Sequence, residues 1–92
     1  MEERKSVRLR IEGRVQGVWY RGWTERKAGR LGLDGWVRNL ADGAVEAVLA
    51  GPDHAIQTMI KHCWRGPPAA KVQAIHQEPF SDDVPKGFRQ RR

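Results

Sequence analysis

Twice along this chain a residue period of two gives way to a helical one, and that succession constrains the fold more than any other feature. Residues 6–12 alternate. Val7, Leu9 and Ile11 point one way, and Ser6, Arg8, Arg10 and Glu12 the other. This predicts a strand with one buried and one wet face, its arginines solvated. A glycine-bounded loop at 13–21 follows. Trp23, Lys27, Ala28 and Leu31 then recur at helical spacing, and Tyr20, Thr24 and Ala28 extend the stripe. The spacing predicts a helix over about 22–31, with Trp23 and Leu31 in the core. Gly32 should cap it, with Leu33 folding back toward Ala28. Residues 34–40 carry Trp36 and Val37 and lead to Asn39. Ala41-Asp42-Gly43 is a tight hairpin signal. Residues 44–50 alternate again, with Val45, Ala47 and Leu49 on one face. Gly51 and Pro52 end that strand, and Asp53 suits a helix N-cap. The second helix shows a double apolar row of Ala55, Ile56, Met59, Ile60, Cys63 and Trp64, stopped by Gly66, Pro67 and Pro68. A further strand is expected over 71–78. Val72 and Ile75 have opposite parity there, which requires a bulge or a two-sided position. Pro79 closes it. Residues 81–86 read as polar loop, and 87–92 either as a short edge strand through Phe88 or as a frayed basic tail.

The order strand–helix–strand–strand–helix–strand is that of an α+β chain. It predicts a ferredoxin-like split β-α-β (βαββαβ), an antiparallel sheet with two helices on one face. Ninety-two residues suit one domain over 1–92, with an ordered core at about 6–80. The N-terminus, Met1-Glu2-Glu3-Arg4-Lys5, is charged and has no apolar run behind it, so neither a signal peptide nor a membrane span is expected. The single cysteine, Cys63, cannot close an internal disulfide. Together these point to the cytoplasm. The net charge is +6, with 12 arginines against 5 lysines. Such a surface draws anions of any kind, from phosphorylated metabolites to nucleic acid, and the sign alone does not choose.

The topology says where chemistry should sit. In a strand–helix–strand unit the two strands run parallel, so their C-terminal ends lie at the same end of the sheet. The first strand ends in the 13–21 loop and the second at Asn39. The loop, from Val15 through Gln16, Gly17, Val18, Trp19 and Tyr20 to Arg21, is a candidate anion cradle. Its backbone N–H groups can converge in a tight turn, the following helix adds its dipole, and Arg21 adds a planar charged fork. Nothing else in the sequence supplies an evident acid, base or metal set. His54, His62, His76 and Cys63 are scattered. Glu12 falls on the wet strand face and Glu25 within the helix, both expected to be solvated. A cradle, an arginine and an asparagine suit phosphoryl transfer, which needs mainly positioning and charge stabilisation. A carboxylate leaving group would depart without a proton, its conjugate acid having a pKa of about 4.

At these residues the chain resembles the acylphosphatase family. One signature reads Gly13-Arg14-Val15-Gln16-Gly17-Val18-Trp19-Tyr20-Arg21. The other reads Gly35-Trp36-Val37-Arg38-Asn39, followed by Gly43, Val45 and Gly51. The resemblance covers roughly residues 7–75. It implies hydrolysis of the carboxyl–phosphate bond of small acyl phosphates without metal or cofactor, phosphate on Arg21 and the loop amides, and the attacking water on Asn39. Tyr20 stands where the family usually has phenylalanine, with little effect expected. Gln90 stands where an aliphatic residue is common, which bears on the last strand. Inorganic phosphate or sulfate should compete for the site, and a monomer is expected. The rival reading is a nucleic-acid-binding module on the same fold, suggested by the charge and the tryptophans. Its sign would be aromatics on the open sheet face, and the first strand offers Arg8 and Arg10 there but no aromatic.

Overall fold

Alternation on the middle strands builds the sheet, and the helical stripes cover one side of it. The computed structural model describes residues 3–92. Met1 and Glu2, which open the domain expected over 1–92 and its charged N-terminus, lie outside the described residues. The elements are β1 (Arg4–Arg14), α1 (Tyr20–Arg30), β2 (Asp34–Asn39), β3 (Val45–Pro52), α2 (Asp53–Arg65), β4 (Lys71–Pro79) and β5 (Phe88–Arg91). The strands lie in the order β4-β1-β3-β2-β5. β1 and β2 both pair antiparallel with β3, and β4 pairs antiparallel with β1. This is the expected α+β, ferredoxin-like arrangement. One strand departs from an all-antiparallel sheet: β5 runs parallel to β2, with Gly35 opposite Phe88 and Val37 opposite Gln90. Residues 88–91 are therefore strand, not frayed tail. The parity conflict in β4 is resolved by a bulge. Glu12 faces Ala74 and Gly13 faces Val72, so Gln73 is the extra residue.

Leu9, Ile11, Val37, Val45, Ala47 and Leu49 form the inner sheet face, closed by Tyr20 and Ala28 of α1 and by Ala55, Ile56, Met59 and Cys63 of α2. Trp23 and Leu31, expected in the core, pack against it partly buried; Tyr20, Gly22, Thr24 and Ala28 are the buried positions of that helix. Trp64, in the apolar row of the second helix, stands 49% exposed because it falls on the outer side of the last turn. Gly32 closes α1 as expected, its N–H donating to Gly29 O (3.1 Å) and the Leu33 N–H to Ala28 O (3.0 Å). The cap of α2 is Pro52, which makes no side-chain cap bond. The strand runs straight into the helix, and Asp53 is its first helical residue.

The open sheet face is not simply wet. Glu46 is 5% exposed and lies between two arginines, accepting from Arg8 Nε and Arg38 Nε at 2.7 Å each. Arg8 also pairs with Glu78, and Arg10 with Glu12 and Asp42, so these arginines are engaged and not merely solvated. Trp36 lies on this face too, but Arg91 covers its ring at 4.0 Å and Phe80 meets it edge-on at 5.4 Å. A ring so occupied is no open platform for a base. Burial pushes the Glu46 carboxyl up, and the two guanidiniums more than offset this, holding it below the ordinary carboxylate value. A depressed folded pKa contributes stability that is complete above the unfolded value and lost as pH falls through the folded one. Glu46→Gln is therefore expected to destabilise the fold by about 2 kcal/mol near neutrality. The gap between the two melting curves should close as the pH drops below the carboxylate range. Thermal unfolding from pH 7 to pH 3 checks both the size and the closing of that gap.

Candidate active site

Val45 of β3 is the register partner of both Ile11 and Asn39. β1 and β2, each antiparallel to β3, thus run parallel and reach the same end of the sheet, where the 15–19 loop and Asn39 meet. Asn39 has the parity of Val37 and so faces the helix side. A cavity of about 120 Å³ opens there, lined by Val15, Gly17, Trp19, Tyr20, Arg21 and Gly22 from the loop and α1, by Asn39 from β2, and by Gln90 from β5.

The loop acquires its shape from two left-handed residues separated by one, Gly17 at φ 73° and Trp19 at φ 66°. Gly17 takes that conformation freely. Trp19 is the one described non-glycine residue with positive φ, a conformation that costs roughly 1–2 kcal/mol. Its carbonyl accepts the first helical bond, from the Trp23 N–H at 3.0 Å. α1 therefore starts at Tyr20, two residues before the start that the side-chain stripe predicts, and Arg21 belongs to its first turn. The difference arises because the backbone, not the stripe, sets the helix start. Trp19 makes no side-chain cap bond, and no acidic residue lies in the first turn. The leading N–H groups of α1 are thus left without a helical acceptor at the cavity wall.

Arg21 makes no ion pair or side-chain hydrogen bond with any described residue, in a chain whose Arg4, Arg8, Arg10 and Arg38 are all paired. The Asn39 amide is likewise free of side-chain hydrogen bonds among the described residues. Two polar groups without partners thus face one cavity beside a row of unused N–H groups. The remaining loop side chains have other work. Val15 is core. Val18 packs against the core and Gln16 turns away, and neither lines the cavity. Gln16 Nε2 donates to the carbonyls of Leu40 and Ala44 at 2.8 Å each, clamping the β2–β3 turn to the loop. Tyr20 is buried, and its hydroxyl donates to Cys63 O at 2.6 Å, capping a carbonyl in the last turn of α2. Burial first, then the neighbouring Cys63, pushes the phenol far above its ordinary value, and burial pushes the Cys63 thiol up to about 12. Neither group is a ready acid or nucleophile. Gly22 has no room for a side chain: a Cβ would come within 2.3 Å of Trp19 Nε1, because the indole lies across it.

Sequence reasoning missed one residue of this wall. Gln90 reads as a departure that bears on the last strand alone. β5 does form, and by pairing with β2 it brings Gln90 to the cavity, where its Nε2 donates to Glu25 Oε1 at 2.9 Å. Glu25 is therefore hydrogen-bonded beside the site and not simply solvated. The parity of Phe88, a buried-side aromatic two residues earlier, is the signal that could have placed Gln90 on the helix side. Among the described residues no His, Cys or carboxylate side chain lines the cavity.

The chain matches the acylphosphatase family model over residues 7–90. It is 52% identical to an acylphosphatase of Rhizobium meliloti (strain 1021), an alignment covering 96% of this chain and 94% of that one. Among solved structures it is similar to an acylphosphatase from Coxiella burnetii, with a TM-score of 0.91 at 35% identity over 96% of this chain and 93% of that one. The acylphosphatase from Bacillus subtilis gives a TM-score of 0.89 at 32% identity, covering 95% and 98%.

Proposed function

The chain belongs to the acylphosphatase family, and from that premise we propose how the cavity between Arg21 and Asn39 hydrolyses an acyl phosphate. The phosphoryl oxygens sit on the leading N–H groups of α1, the loop amides and the Arg21 guanidinium. The Asn39 amide holds a water for in-line attack on phosphorus. The new P–O bond forms as the bond from phosphorus to the acyl oxygen breaks, and the carboxylate leaves with the electron pair. The proton of the attacking water passes to a phosphoryl oxygen of the substrate. The products are a carboxylate and inorganic phosphate. No side-chain acid is needed, because a group whose conjugate acid has a pKa of about 4 leaves as an anion at neutral pH. The protein supplies orientation and fixed positive charge where charge develops.

The observation that carries this reading is the pairing of Arg21 and Asn39, two polar side chains without side-chain partners among the described residues, across one small cavity at an open helix N-terminus. Small acyl phosphates are the substrate class, and inorganic phosphate or sulfate would occupy the same cradle as competing anions. Among the described residues no helix is long and apolar enough to cross a membrane, and the enzyme acts as a cytoplasmic monomer in this proposal. The test is hydrolysis of acetyl or benzoyl phosphate by purified protein in excess chelator. Full turnover is expected; a requirement for added divalent metal would overturn the mechanism.

A further inference from the structure

Beside the anion cavity lies a second cleft, of about 230 Å³, lined by Trp19, Trp23, Arg26, Lys27 and Arg30. Trp19 lines both. Its indole is 58% exposed, yet its position is fixed. It lies across Gly22, and the Arg26 guanidinium sits 5.8 Å from the ring centroid. One turn on, Lys27 Nζ stands 5.9 Å from the Trp23 ring. The outer side of α1 thus presents three cations interleaved with two aromatic rings.

Arg26, Lys27 and Arg30 form no ion pair with any described carboxylate, whereas Arg4, Arg8, Arg10 and Arg38 on the sheet are paired with Asp34, Glu46, Glu78, Glu12 or Asp42. Arg26 and Arg30 are also four residues apart on one helix, a spacing at which like charges repel. Lys27 and Arg30, in the last turn, suit the negative end of the helix dipole, but the dipole does not call for Arg26 beside them. The position of the cluster, reached from the phosphate cavity across a shared indole wall, supplies a reason.

We propose that this cleft receives the acyl half of the substrate and favours acyl groups that carry a negative charge of their own. The inference rests on the reading of the neighbouring cavity as the phosphoryl site. With phosphorus held at the head of α1, the acyl group must leave that cavity toward solvent. A short acyl chain running over the Trp19 indole brings a terminal anion to Arg26, with Lys27 and Arg30 behind it. The aromatic faces bury the chain's methylenes, and the cations meet its end. The contact lies away from the reacting bond and is made equally in ground and transition states, so it should act on KM and leave kcat little changed.

Succinyl phosphate and butyryl phosphate test this directly, since they share a chain length and differ in one terminal carboxylate. At low ionic strength the protein should prefer succinyl phosphate in kcat/KM by roughly five- to tenfold, the scale of one or two exposed ion pairs. The preference should reside in KM and fade toward unity near 1 M salt, where the Debye length is about 3 Å. An Arg26→Gln/Arg30→Gln double variant should bring the succinyl-to-butyryl ratio close to one. A Lys61→Gln/Arg65→Gln double variant removes the same charge from α2 and should keep the ratio. Equal use of the two substrates by the native protein, or an equal drop in ratio for both double variants, would overturn the anionic subsite and leave the phosphoryl reading standing. Failure to hydrolyse either substrate would overturn both. The salt series needs no variant, so the proposal stays testable even if a substituted helix folds poorly.

Discussion

Arg21→Ala is expected to abolish turnover, with kcat/KM for acetyl or benzoyl phosphate falling by at least about a thousandfold. The guanidinium lies at the cavity wall, unpaired among the described residues, so its loss would leave the phosphoryl oxygens on backbone N–H groups alone. The guanidinium is always charged and stands at the cavity wall where charge develops on those oxygens, which is why removing it should cost more than one surface ion pair. Inhibition by inorganic phosphate should weaken in the same variant, because the product anion would use the same fork. Arg21→Lys should fail to restore turnover. An ammonium is a compact point charge on a flexible stem and cannot make two parallel bonds in one plane. Steady-state kinetics with phosphate inhibition, on all three proteins, measures this. Turnover in Arg21→Lys near that of the native protein would show that charge suffices, and would remove the bidentate role.

Asn39→Ala is expected to separate chemistry from binding. kcat should fall by roughly a hundred- to a thousandfold, while the inhibition constant of inorganic phosphate stays within about threefold of native, a shift of less than 1 kcal/mol. Asn39 ends β2 opposite Val45, across the cavity from the cradle. It would hold the water and not the anion. The substitution removes an amide without a side-chain partner and leaves every loop N–H group in place. Equal loss of phosphate affinity in Asn39→Ala and Arg21→Ala would contradict this division of roles.

Much of this arrangement was legible in the sequence, because period, parity and strand direction are local or topological facts. Residues 6–12 and 44–50 announced their inner faces, and the conflict between Val72 and Ile75 called for a bulge or a two-sided position, of which the structure has the bulge, at Gln73. The parallel sense of β1 and β2 followed from the crossover helix, and with it the meeting of the loop and Asn39. The parts that were hidden depend on contacts between distant segments. The α1 start is set by the left-handed Trp19, which no side-chain stripe reports. Alternation puts Glu46 off the Val45, Ala47 and Leu49 face but does not report that Arg8 and Arg38 close over it from two other strands. Gln90 joins the wall because β5 pairs with β2, a long-range choice that four short residues do not declare. The roles of Gln16 and Tyr20 were hidden in the same way, since their partners lie in the hairpin and in α2.

The Gln16 clamp has a thermodynamic consequence. Its two bonds tie the loop to the carbonyls on either side of the β2–β3 turn, so loosening of the hairpin and loosening of the cradle share one equilibrium. An anion bound to the cradle then lowers the population of the opened hairpin, including the end of β2 that bears Asn39, although it touches none of the turn residues. Occupancy at a phosphate concentration one hundred times its dissociation constant would hold that shared closed state by about 2.7 kcal/mol. The substrate's own phosphoryl group would thus steady the group that aims the water at it.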